Sequence, residues 1–157
     1  MFLDIDGVLN SDRYFEEVPW PEGASWWSAA AIDPRAVARV NAIVSETNAR
    51  VVLSSSWRRR APLDELCALL RSRGLEQPLL SATPSLYRTP DGVRLTRGDE
   101  VLSWLASERD AGVIVDAYVV LEDEEPLGEV EARCVRVDSR VGLTDADVAR
   151  AIAALQR

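Results

Sequence analysis

Apolar positions along the chain recur with two periods, and the alternation between them predicts the elements. Short apolar runs at Met1 to Ile5, Val51 to Leu53, Leu79 to Leu80, Tyr118 to Leu121 and Cys134 to Val137 have the length of strands. Between them lie helical spacings. Val37, Val40, Ile43 and Val44 follow Asp33 and Pro34, a side-chain cap and a first-turn proline, and predict a helix over 34–47. Pro62 opens a second helix with Leu63, Leu66, Cys67 and Leu70 on one face, closed by Gly74. Thr96 with Asp99 resembles a capping box ahead of Val101, Leu102 and Leu105, and Thr144 with Asp147 caps a last helix carrying Val148, Ile152 and Leu155. Strands alternating with helices at these lengths predict an α/β fold, a parallel sheet with helices on both faces. Residues 8–32, with Pro19, Pro21, Gly23 and three tryptophans, read as an irregular flap, and 83–95 as a loop turning at Asp91-Gly92. With no repeat, low-complexity tract or linker, residues 1–157 read as one domain.

Composition narrows the chemistry. The chain has no histidine, and its 18 basic residues are all arginine. That excludes Ser-His-Asp and Cys-His nucleophile pairs, His-ligated metals, a lysine Schiff base and a phosphate loop ending in Gly-Lys. Carboxylates, hydroxyls, arginines and two thiols remain, and carboxylate oxygens suit a hard cation such as Mg²⁺. Cys67 and Cys134 sit in apolar patterns and read as small core fillers. No apolar run is long enough to span a bilayer and no signal segment opens the chain, so no membrane is expected and the location reads as cytoplasmic. A net charge of -8 argues against nonspecific nucleic-acid binding, while leaving room for a local arginine contact.

Ligands of open α/β sheets collect at the carboxyl ends of the strands. Here those ends carry Asp4 and Asp6, Ser54 and Ser55, and Glu122 and Asp123, with Arg97 at a helix start. Phe2-Leu3-Asp4-Ile5-Asp6-Gly7-Val8-Leu9-Asn10 resembles the first motif of the haloacid dehalogenase (HAD) superfamily of phosphatases. Val51-Val52-Leu53-Ser54 is similar to its second, Arg97 near a helix start to its third, and Val119-Val120-Leu121-Glu122-Asp123 to its fourth. The strings Leu53-Ser54-Ser55-Ser56-Trp57-Arg58, Arg97-Gly98 and Gly142-Leu143-Thr144 further resemble a bacterial subgroup found in multidomain RNA-repair proteins.

The resemblance implies a three-layer Rossmann-like fold and a phosphomonoesterase that works through an aspartyl-phosphate. In that scheme Asp4 attacks phosphorus, and Asp6 protonates the leaving oxygen and then deprotonates water. Ser54 and Arg97 hold the transferring group, and Ser55, Arg58 and Gly98 meet the substrate. Mg²⁺ would bind Asp4, the carbonyl of Asp6, and Glu122 or Asp123, with Asp123 favoured because a glutamate at the first position departs from the usual aspartate. A second departure is that only three residues precede Asp4, where a longer first strand is usual. No stretch is free to form a cap domain, so only the flap covers the site. An open site suits a phosphate carried by something large, and the subgroup resemblance points to a nucleic-acid 3′ end and to other RNA-repair domains or proteins as partners. A small nucleotide or sugar phosphate, and a noncatalytic interaction domain of the same fold, stay open as alternatives. For Arg58 to Arg60 a solvated face and phosphate recruitment stand side by side, and Trp26 and Trp27 read as a hydrophobic plug sooner than a base-stacking platform.

Overall fold

A computed structural model describes residues 1–156. Its centre is a five-stranded parallel sheet of β1 (Phe2–Leu3), β2 (Val52–Leu53), β3 (Ser81–Ala82), β4 (Val120–Glu122) and β5 (Cys134–Arg136), in the order β3-β2-β1-β4-β5. Five helices accompany it: α1 (Asp12–Glu17), α2 (Pro34–Thr47), α3 (Leu63–Ser72), α4 (Arg97–Asp110) and α5 (Asp145–Leu155). This is the α/β architecture expected from the alternating periods.

Because successive side chains of a strand point to opposite faces, the register separates two cores. Phe2 pairs with Val52 and Val120, and these three pack with Val101 of α4, Leu127 and Val130. Leu3 pairs with Leu53 and Leu121, and these join the larger core of Val37, Val40 and Ile43 of α2, Leu66 and Leu70 of α3 and Ala151 of α5. Both faces are therefore covered, which is why the strands read as unbroken apolar runs. Each large side chain withdrawn from water here contributes about 1.5–3 kcal/mol.

Several boundaries differ from the sequence reading. Four of the strands are shorter by one to three residues, and the third, of the expected length, lies at Ser81–Ala82 instead of Leu79–Leu80. The flap is not wholly irregular. Ser11 accepts the Tyr14 amide at 3.2 Å and starts the six-residue α1, and one 3₁₀ turn spans Ala29–Ala31. Tertiary contacts carry that short helix: Tyr14 is buried, its hydroxyl donates to the Ala30 carbonyl at 3.0 Å and receives a guanidinium N–H of Arg73 at 3.1 Å. Segment 83–95 has no helix or strand, only a bridge between Arg88 and Arg94. Further 3₁₀ turns span Ser56–Arg59 and Gly128–Arg133. Cys67 and Cys134 are free thiols packed against the two cores. Among the described residues no helix is long and apolar enough to cross a membrane.

Candidate active site

The sheet order turns at β1, whose following loop and that of its neighbour β4 lead in opposite directions, the position where ligands enter such sheets. Asp4 follows β1, Ser54 follows β2 and Glu122 ends β4. Backbone bonds from Asp4 N to Leu121 O (3.1 Å) and from Ser54 N to Leu3 O (2.8 Å) hold these residues level with one another.

One carboxylate oxygen each of Asp4, Glu122 and Asp123 lie within 4.8 Å of one another. Asp4 is buried, and Oδ1 accepts the amide of Ile5 at 2.7 Å. Burial pushes its carboxyl up to about 6, against the pull of Arg97, the Ser55 hydroxyl and the Ile5 amide. Glu122 is fully buried; Oε1 accepts the amides of Asp123, Glu124 and Glu125 at 3.0–3.3 Å, while Oε2 has no hydrogen-bond partner. Burial, with the negative charge of Asp4 next, pushes Glu122 up to about 9. Asp123 is half-buried against Gly7, where a Cβ would fall 2.2 Å from its Oδ2 and where φ is +71°. A side chain at position 7 would displace Asp123, so glycine is required there on both counts.

Asp6 lies apart from this trio. Its exposed carboxylate is held by Trp57 Nε1 at 3.1 and 3.0 Å and by Asn10 Nδ2 at 3.0 Å.

Arg97 begins α4 and is buried. It donates to Glu100 Oε2 at 3.2 Å, and its Nε lies 3.5 Å from Glu122 Oε2 with no hydrogen bond of its own. Arg58 is engaged from three sides, donating to the carbonyls of Ser55 and Pro84 and to Glu100 Oε2. Burial pushes this guanidinium down, an effect Glu100 offsets. Glu100 also accepts the Leu86 amide at 3.0 Å and lies 3.7 Å from Arg59. Sequence reasoning did not single it out. Its spacing of three from Arg97 was the available signal, but its tie to Arg58, 42 residues away, is not local.

The remaining residues divide. Ser54 Oγ and Thr83 Oγ1 are buried without partners, the condition of hydroxyls that meet a ligand or water. Ser55 caps the turn that carries Trp57. Gly98 donates its amide to Pro126 O at 3.3 Å, and a Cβ there would sit 1.9 Å from Leu127 O, so packing against that backbone explains the glycine. Beside Arg97 opens a cleft of about 530 Å³ lined by Arg59, Tyr87, Arg94, Thr96 and Glu125. Tyr87 is exposed and carries the Arg59 guanidinium 4.7 Å from its ring centroid.

The donor set fits a hard divalent cation. The donors are all carboxylates, Glu122 Oε2 is buried without a hydrogen-bond partner, and among the described residues the buried carboxylates of Asp4, Glu100 and Glu122 face only the two buried guanidinia of Arg58 and Arg97.

A Rossmann-like parallel sheet with two aspartates after its first strand and an acidic pair after its fourth defines a HAD-type domain. The family model described as the HAD domain in Swiss Army Knife RNA repair proteins matches residues 1–148, and the chain belongs to that family. No curated protein and no solved structure gives a significant match.

Proposed function

We propose that the protein is a Mg²⁺-dependent phosphomonoesterase that removes a terminal 3′-phosphate from a nucleic-acid strand. The observation that carries the chemistry is the convergence of Asp4, Glu122 and Asp123 beside the buried, unpartnered hydroxyl of Ser54 and the guanidinium of Arg97. Asp4 is the nucleophile, its carboxylate oriented by the Ile5 amide on Oδ1. Its bond to phosphorus forms as the ester P–O bond breaks, and Asp6 gives the departing oxygen its proton. Asp6 then takes a proton from water, which attacks phosphorus and releases Asp4 and inorganic phosphate. Ser54 and Arg97 bind the oxygens of the transferring group, and the planar guanidinium clamps them without serving as a base. Mg²⁺ would be held by Asp4, Asp123 and Glu122 with the Asp6 carbonyl, and supplies the positive charge that lets a carboxylate approach a phosphate dianion. Asp123 is the favoured ligand of the acidic pair, because one Glu122 oxygen already closes the turn after β4.

The substrate reading rests on the open cleft beside Arg97. Arg59 and Arg94 offer charge for a neighbouring phosphodiester and Tyr87 a ring face for a base, a local basic and aromatic contact on an otherwise acidic chain. The family's description as part of RNA repair proteins supports the same direction. Arg58, Ser55 and Gly98 support the site from behind through their contacts with Glu100, the Trp57 turn and Leu127.

The test is Asp4→Asn, assayed by phosphate release from a 3′-phosphorylated oligonucleotide with Mg²⁺. Activity is expected to fall at least about 10⁴-fold, with a melting temperature in metal-free buffer at pH 8 no lower than the wild type's because a buried charge has been removed. Hydrolysis by the variant at near wild-type rate would exclude Asp4 as nucleophile. A wild-type preference for free mononucleotides over the oligonucleotide would return the small-substrate alternative.

A further inference from the structure

Asp6 is the most exposed of the four carboxylates at this end of the sheet, yet its orientation is determined from below. Trp57 is 1% exposed, and its indole N–H contacts both carboxylate oxygens of Asp6, at 3.1 and 3.0 Å. An indole N–H can donate but not accept, so Trp57 can hold Asp6 without ever taking a proton from it. Among the described residues Asp6 is the only hydrogen-bond partner of that N–H, and turning the carboxylate away would orphan a buried donor. The contact spans 51 residues and depends on the Ser55-capped 3₁₀ turn that swings the indole back toward the β1 loop. On the outer side the flap closes over the same ring. Trp27 packs edge-on at 5.3 Å, and the Arg60 guanidinium lies 4.5 Å from the Trp27 centroid.

From this geometry we infer that Trp57 is a positioning residue for proton transfer, fixing the Asp6 carboxylate so that one group serves the leaving oxygen and then the attacking water. The inference rests on the phosphatase reading. An acid and base used twice has to face the same small region in both steps, and displacement by about 1 Å from that geometry costs about 10²-fold in rate.

The test compares two esters whose need for an acid differs. An alkyl phosphate such as β-glycerophosphate has a leaving oxygen that must be protonated; 2,4-dinitrophenyl phosphate has one that departs as an anion. Trp57→Phe removes the donor together with part of the ring. Replacement of Trp57 by 3-benzothienylalanine keeps the two-ring shape and removes only the N–H, which separates the hydrogen bond from packing. In both variants kcat/KM on the alkyl ester is expected to fall about 10²-fold, while kcat/KM on the dinitrophenyl ester stays within about threefold. The dinitrophenyl ester should also show a burst, because the water step, which needs Asp6 as base, becomes slow. Equal losses on the two esters without a burst, or no loss in the benzothienyl variant, overturn the positioning role. A wild-type protein inert toward both esters and toward a 3′-phosphorylated oligonucleotide overturns the phosphatase reading itself, and this inference with it.

Discussion

The two ends of the sheet are built from the same strands and treat charged side chains in opposite ways. At the carboxyl end, the residues after or closing the apolar runs are Asp4, Ser54 and Glu122, all buried, and Arg58, Arg97 and Glu100 are buried around them. At the other end Met1, Val51 and Val119 lead into the strands, and a hollow of about 380 Å³ is lined by Trp104, Val113, Ile114 and Tyr118. Arg50 and Asp116 lie there in solvent. Removing an ion from water is costly unless it is paired and hydrogen-bonded. The carboxyl end accepts that cost with its hydrogen bonding incomplete, for Ser54 Oγ, Arg97 Nε and Glu122 Oε2 lack hydrogen-bond partners although the last two lie 3.5 Å apart as an ion pair. The difference teaches where to look for chemistry: buried charged side chains with unfilled hydrogen-bonding atoms gather at one end of the sheet only, among the described residues.

Breaking the carboxyl end should therefore have the larger effects. Glu100→Ala leaves Arg58 without its carboxylate and Arg97 with only Glu122, and is expected to lower stability by about 3–5 kcal/mol, read from urea unfolding. A loss below 1 kcal/mol would mean that water already compensates these guanidinia.

The next effect concerns pH and metal. Asp4 and Glu122 are raised to about 6 and about 9 in the metal-free fold, so between their ordinary values and these the folded state binds more protons than the unfolded. Stability then falls as pH rises through that window. Metal-free protein should melt progressively lower from pH 5 to pH 9. Mg²⁺ at about 100 times its Kd adds about 2.7 kcal/mol, some 5–10 °C for a domain of this size, at pH 8, and much less at pH 5, where protons occupy both carboxyls. Differential scanning calorimetry with and without Mg²⁺ checks both arms, and a metal effect independent of pH would count against ligation by this pair.

The smallest effect should come from the opposite end. Ile114, 84% exposed, can become serine with a change within about 0.5 kcal/mol and unaltered phosphate release. A substantial loss of activity in that variant would break the contrast between the two ends.

Much of the site was legible because its cues are local. Asp4, Asp6 and Gly7 follow one apolar run, Ser54 another, Glu122 and Asp123 a third, and strand ends are where such sheets hold ligands. The helix over Pro34–Thr47 was legible to the residue, since a cap, a first-turn proline and helical spacing agree. The short helix α1 was not, because six residues rely on the burial of Tyr14 instead of on a repeating pattern. Nor was the hold of Trp57 on Asp6 or of Glu100 on Arg58, contacts that join segments 51 and 42 residues apart.

The sequence by itself determined the alternation of strands and helices and the identity of the residues that end each strand, because period, caps and turn residues act over a few positions. Only the tertiary structure decided that β1 lies between β2 and β4, which brings Asp4 beside Glu122 and Asp123. It also decided which arginine is engaged behind the site and which lies alongside Glu122. Those outcomes depend on strand order and on desolvation, and both are properties of the assembled sheet that no single segment carries.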